Sequence, residues 1–286
     1  MGYEIWKTID QVDTQKYLYH YTSMENAYKI LYSKVLRFSN LCSTNDIFEQ
    51  RPKLIFEDLS NTENISKAKE IKKYLSTHRK KIKILCLSTD QFNQSDYDIM
   101  CETLTFDQIR ANVTGRGFAL PRMWAQYASN STGVCLVINK QKLFDTIKKQ
   151  SIDITFGYVQ YLNSHSTHLI TNSSLNKMYN LIKSNNHNTL QAIISCNSGF
   201  VEHNFFYKLS DWKDEREFRI ITTAENKEDI IEINDTTSFI EGIVIGHNVD
   251  NLHEILIQPL ISNNCDLRRI VFEDTITKII KNNRIL

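Results

Sequence analysis

Apolar and polar positions recur along this chain in short runs whose spacing sets out strands and helices. Tyr17-Leu18-Tyr19-His20-Tyr21 is short and rich in aromatic residues, which predicts a strand. Thr22-Ser23-Met24-Glu25 follows in the form of a capping box, so a helix is predicted to start there. Met24, Ala27, Tyr28 and Leu31 share one helical face, and Val35-Leu36-Arg37-Phe38-Ser39 predicts a second strand. The charged stretch 53–83 predicts one or two surface helices, with Ile65, Ala68, Ile71 and Leu75 loosely periodic. Further strands are expected at Ile84–Ser88, Val134–Ile138, Ile154–Tyr161, Ile230–Ile233, Ile240–Gly246 and Ile270–Phe272, and a short helix at Arg122–Ala128 turning through Ser129–Gly133. The stretch Gln91–Arg116 predicts loop with short helix, and Asn163–Asn188 a loop with a helical insert. Strands outnumber long helices without regular alternation, which argues for an α+β fold rather than a doubly wound parallel sheet.

Composition adds bounds. The 286 residues contain only 3 Pro and 8 Gly and no linker-like stretch, so one domain over 1–286 is expected, with helical insertions at about 53–83 and 163–196. A formal net charge of +1 favours neither nucleic acid nor an acidic membrane as a partner. The six cysteines are scattered without a Cys-x-x-Cys pair, which argues against zinc, and His165-x-x-His168 has no acidic or cysteine ligand nearby, so no metal is expected. No run approaches membrane-spanning length and the first residues do not form a signal peptide, so a reduced, cytoplasmic setting with no membrane partner is expected.

The segment Asp211-Trp212-Lys213-Asp214-Glu215-Arg216-Glu217-Phe218-Arg219-Ile220-Ile221 is the strongest candidate for chemistry. If it is a strand throughout, Glu215, Glu217 and Arg219 stand on one face and the paired carboxylates perturb each other's pKa. Glu/Arg alternation on the wet face of an edge strand gives the same pattern.

Several blocks together resemble one bacterial family, domain of unknown function 2971. They are Leu18–Tyr21, Leu36–Ser39, Asn45–Glu49, Cys86–Ser88, Met123–Tyr127 continuing to Gly133–Leu136, Val159–Tyr161, Lys208, Asp211-Trp212, Glu215–Ile221 and Ile243–Gly246. Ile47 stands where the family usually carries proline. The chain is also similar to the ADP-ribosyltransferase superfamily, which implies a central split, antiparallel-rich mixed sheet and NAD as substrate. That resemblance assigns His20 to orienting the ribose, Trp124 or Tyr127 to packing on nicotinamide, and Glu217, with Glu215 two residues before it, to the reacting sugar. The superfamily carries its aromatic on or beside a strand, whereas here both aromatics fall on a predicted helix.

Cleaving the nicotinamide–ribose bond builds positive charge on the sugar, so a carboxylate at Glu217 would stabilise the transition state and Glu215 would orient or activate the acceptor. Tyr21 and Thr22 follow His20, and the free N–H groups of the helix after them suit a phosphate. Arg37 would reach a pyrophosphate or point to solvent, and Asn45 belongs to a polar block that suits either ligand or turn. Trp212 would shelve the acidic strand, and Arg219 would neutralise both glutamates. His20 as a core histidine bonded to backbone, and Trp124 and Tyr127 as core aromatics, are the competing readings. The expected partner is a small-molecule nucleotide, with a protein, nucleic acid, small molecule or water as acceptor. Two other functions fit the residues. One is a metal-dependent nuclease or phosphodiesterase using Asp46, Glu49, Glu215 and Glu217, and the other a non-catalytic sensor or interaction module in stress response or phage defence.

Overall fold

A computed structural model describes residues 4–50, 54–164, 168–184, 189–196, 198–273 and 276–281. Nine strands form the main sheet, numbered here in chain order: β1 (Tyr17–Thr22), β2 (Ser39–Asn40), β3 (Ile82–Thr89), β4 (Val134–Asn139), β5 (Thr155–Tyr158), β6 (Glu217–Thr223), β7 (Ile240–Ile245), β8 (Asp266–Glu273) and β9 (Ile276–Lys281). Their order across the sheet is β9-β8-β7-β4-β1-β3-β6-β5, with β2 beside β3. Neighbours are antiparallel except β7 and β8, so the fold is α+β around a mixed, antiparallel-rich sheet.

Alternation in the strands divides the core. Leu18, Leu85, Leu87, Leu136 and Phe218 pack on one face of the sheet with Met24, Ala27 and Leu31 of the helix Met24–Ser33. The other face carries two separate clusters. One gathers Tyr17, Tyr19 and Tyr21 with Trp124 and Val137. The second packs Ile82, Ile84 and Ile221 under the helices Thr62–His78, Asn172–Ser184 and Thr189–Cys196.

Several elements differ from the sequence reading for local reasons. Thr22 remains the last residue of β1, and it is Ser23 that caps the following helix by accepting the Asn26 N–H at 3.3 Å, so the cap falls one residue later. The strand expected over Val35–Ser39 is divided: Val35–Arg37 pairs with Glu232–Asn234, and only Ser39–Asn40 joins the main sheet. Asn93 and Thr105 cap two helices, Gln94–Thr103 and Phe106–Ala111, in the stretch expected to be mostly loop. The wet edge strand fails as an explanation of the Glu/Arg pattern, because β6 lies between β3 and β5 and is buried from Glu217 to Thr222. Among the described residues no helix is long and apolar enough to cross a membrane.

The sheet is split beside β1. That strand pairs with β4 along its whole length but meets β3 only where Leu18 faces Thr89 and Tyr19 faces Ser88. At the far end of β3 the short strand β2 takes over, with Ser39 opposite Ile84 and Asn40 opposite Lys83. Among the described residues Leu85, Cys86 and Leu87 therefore have no strand partner on this side, and the gap opens into a cavity.

Candidate functional site

The cavity has a volume of about 210 Å³ and sits at the split in the sheet, where residues of all three clusters line it. Tyr19, His20 and Tyr21 of β1 form one wall and Ile84–Ser88 of β3 another, while Glu217 and Arg219 of β6 lie at its back. Exposed Arg37, Ser39, Ser43 and Asn45 form its mouth.

His20 comes from the part of β1 that has parted from β3, and its ring bonds to the backbone of Cys86 on the unpaired edge. Burial lowers its pKa, against the opposing pull of that hydrogen bond, so the imidazole is neutral at physiological pH. A titration of the His20 ring by NMR is expected to give a midpoint below the ordinary histidine value of about 6.5; a midpoint above it would contradict this environment.

The two glutamates reach the cavity by different routes. Glu217 opens β6, whereas Glu215 ends a 3₁₀ turn spanning Ser210–Glu215. Arg216 between them adopts left-handed backbone, φ 47°, and reverses the chain. The expected single strand face for Glu215, Glu217 and Arg219 is thus corrected: only Glu217 and Arg219 share a strand, and Glu215 converges through a turn. Arg216 is held in place by its guanidinium, which donates to the Gly115 carbonyl at 3.0 Å, and by its own carbonyl, which accepts the Thr89 N–H and hydroxyl.

Buried cations tie the acids together. Arg219 presents a fork to Glu217, with Nε 2.6 Å from Oε1 and Nη2 2.9 Å from Oε2. Lys208 bridges the pair, its Nζ 3.0 Å from Glu217 Oε2 and 2.6 Å from Glu215 Oε2. The Tyr127 hydroxyl donates to Glu215 Oε1 at 2.6 Å, and the Glu217 N–H donates to the Tyr161 hydroxyl at 2.9 Å.

These contacts drive the carboxylates apart in acidity. Burial raises the pKa of Glu215, and the charge of Glu217 adds to this against the opposing pull of Lys208. Burial acts the same way on Glu217, but Arg219 and Lys208 outweigh it and hold that carboxyl well below the usual range. Although burial favours its neutral form, Lys208 stays firmly protonated beside both acids. Burial, then the Glu215 charge, pushes the Tyr127 phenol well up.

A depressed acid pKa adds stability that is present above the unfolded-state value and is lost as pH falls through the folded one. The stability gap between wild type and Glu217→Gln in urea is accordingly expected to narrow below about pH 4. A gap that stays constant from neutral pH into the acid range would contradict an ionised Glu217.

Of the residues singled out from sequence, His20, Tyr21, Arg37, Asn45, Tyr127, Glu215, Glu217 and Arg219 line the cavity, whereas Thr22, Trp124 and Trp212 do not. Thr22 is buried opposite Val134. Trp124 is a core residue, 1% exposed, with its indole N–H donating to the Phe118 carbonyl at 2.8 Å and its ring edge-on to Tyr21. Of Trp124 and Tyr127, it is therefore Tyr127 that reaches the cavity. Trp212 lies outside it, with Lys208 Nζ 5.0 Å from its ring centre. Arg37 is engaged at the mouth by Glu232, 2.7 Å away, and the Tyr21 hydroxyl donates to the Gly117 carbonyl. The helix N-terminus after His20 does not open on the cavity, since none of residues 22–26 lines it.

The carboxylates proposed as metal ligands are otherwise occupied. Asp46 accepts the Phe48 N–H at 2.9 Å, Glu49 faces Arg219, and Glu215 and Glu217 face Lys208 and Arg219. Among the described residues no group of three or more His, Cys, Asp or Glu converges to hold a metal ion. His165 lies outside the described residues, as does the side chain of His168.

Two lining residues carry little sequence signal. Lys208, marked in the sequence only as one position of the DUF2971 resemblance, is buried between Tyr207 and Leu209 in a three-residue strand. Ser88, 1% exposed, lines the cavity with a hydroxyl that has no hydrogen-bond partner among the described residues.

No curated protein and no solved structure matches the chain. Residues 123–220, from the helix Pro121–Gln126 and Tyr127 just after it through Lys208 and Glu215 to the β6 segment with Glu217 and Arg219, match the family model described as protein of unknown function (DUF2971).

Proposed function

We propose that the protein binds NAD at the split in its sheet and cleaves the nicotinamide–ribose bond, passing ADP-ribose to an acceptor or to water. The observation that carries this reading is that His20 and the Glu215–Glu217 pair, from opposite parts of the chain, line one cavity. Two neighbouring carboxylates driven apart in acidity can divide the work of charge stabilisation and proton transfer. The unpartnered Ser88 hydroxyl suits a ligand rich in hydroxyl groups.

A volume of about 210 Å³ is smaller than the roughly 300–1,000 Å³ of most ligand sites. It suits the nicotinamide–ribose end of the dinucleotide, with the adenosine end over the mouth by Arg37 and Asn45. As the bond breaks, nicotinamide departs with the bonding electron pair and the sugar carbon becomes electron-poor. Glu217, ionised and lining the cavity, offsets that positive charge. The acceptor oxygen then bonds to the sugar carbon and gives its proton to Glu215. Tyr127 holds Glu215 in place, and neutral His20 positions the ribose.

Incubating the protein with NAD and measuring released nicotinamide tests the reading. Release by wild type and its loss in Glu217→Gln are expected. Absence of release with water and with protein, nucleic acid or small-molecule acceptors would overturn it. The salt links of Glu217 also favour a second reading, binding without turnover, which predicts saturable NAD binding with no nicotinamide formed.

A further inference from the structure

Behind the cavity, Glu49 lies on the 3₁₀ turn Ile47–Gln50 with its side chain 0% exposed. Its Oε1 is 2.5 Å from Arg219 Nη1, yet among the described residues neither carboxylate oxygen has a hydrogen bond of good geometry. A buried carboxylate held by charge alone is costly, so its retention needs a reason. Arg219 supplies one. One edge of its guanidinium, Nε and Nη2, forks onto Glu217, and Nη1 at the remaining corner meets Glu49 and the Phe205 carbonyl. The group is planar, so fixing that corner fixes the fork.

We propose that Glu49 is a positioning residue that acts on Glu217 through Arg219, setting the angle of the fork and taking up part of its positive charge. This rests on the reading of Glu217 as the carboxylate that meets the reacting sugar. With Glu49 in place, the excess of positive charge at the back of the cavity is reduced and Glu217 keeps more of its field for the ligand. Without that charge, Arg219 acts on Glu217 alone and the cavity disfavours a developing cation. The charged and titratable groups around this path are Arg79, whose Nε donates to the Glu49 carbonyl at 2.7 Å, then Lys208, Cys86, Tyr161, Tyr127 and Glu215.

The test pairs kinetics with carbon-13 NMR of the glutamate carboxyls in wild type, Glu49→Gln and Glu49→Asp. Glu49→Gln is expected to lower kcat roughly 10- to 100-fold, the range for supporting partners of other sites, with KM little changed. The removal of a nearby negative charge is also expected to move the Glu215 titration to lower pH, and Glu49→Asp, which keeps the charge, to restore it. An unchanged Glu215 titration in folded Glu49→Gln would overturn the proposal. If Glu49→Gln does not fold, Glu49→Asp still decides: a Glu215 titration at its wild-type pH with the carboxylate kept supports the proposal, and one moved to lower pH overturns it. Should wild type release no nicotinamide while the Glu215 titration still shifts in Glu49→Gln, the positioning role stands and the reaction falls.

Discussion

Replacing Glu217 with glutamine is expected to lower nicotinamide release by about 10²- to 10³-fold, the usual effect of losing one group that stabilises transition-state charge. The same change should destabilise the fold. Glu217 accepts both arms of the Arg219 fork and one bond from Lys208, all buried, and an amide there presents an N–H to cations while carrying no charge. Removing one partner of a buried ion pair costs about 3–5 kcal/mol, because the group left behind stays charged and desolvated. Urea unfolding reads the second effect, and turnover of the fraction still folded reads the first. If the folded variant released nicotinamide at nearly the wild-type rate, Glu217 would be structural and the proposed chemistry would lose its central group.

The second large effect lies away from the cavity. Asp90→Ala is expected to cost about 3–5 kcal/mol, since it strips the carboxylate from a fully buried arginine. Asp90 Oδ1 accepts from Arg116 Nε at 3.0 Å and from the Gly117 N–H at 2.7 Å, and Oδ2 accepts the Tyr19 hydroxyl at 2.8 Å. Arg116 also donates to that hydroxyl through Nη2 at 2.8 Å. This knot fastens residues 116–120 to β1 just before the helix Pro121–Gln126, which carries the chain to Tyr127. Loosening it should therefore weaken the Tyr127–Glu215 hydrogen bond as well as the core. An unfolding midpoint equal to that of wild type would show that the knot contributes little.

The sequence disclosed what depends on neighbours along the chain. Strand β1, the helix after it and the apolar run of β4 follow from residue spacing, and the acidic doublet was visible because its two members lie two residues apart. What it hid depends on distant pairing. The split arises because β1 and β2 each take one end of β3, and nothing local in Leu85-Cys86-Leu87 marks it as an unpaired edge. The turn that carries Glu215 depends on left-handed backbone at Arg216, a conformation usually signalled by glycine or asparagine. Trp124 and Tyr127 looked equivalent from their helical spacing, but the helix ends at Gln126 and only Tyr127 turns toward the acids. The Glu49–Arg219 contact joins segments far apart in sequence, so no spacing could show it.

The account turns on where NAD would sit, and a crystal structure of the protein soaked with NAD tests this most directly. The account predicts the nicotinamide–ribose end between His20 and Glu217, with a ribose hydroxyl on Ser88 Oγ and the Tyr127 ring beside nicotinamide. NAD bound elsewhere on the molecule, with the cavity left empty, would contradict it.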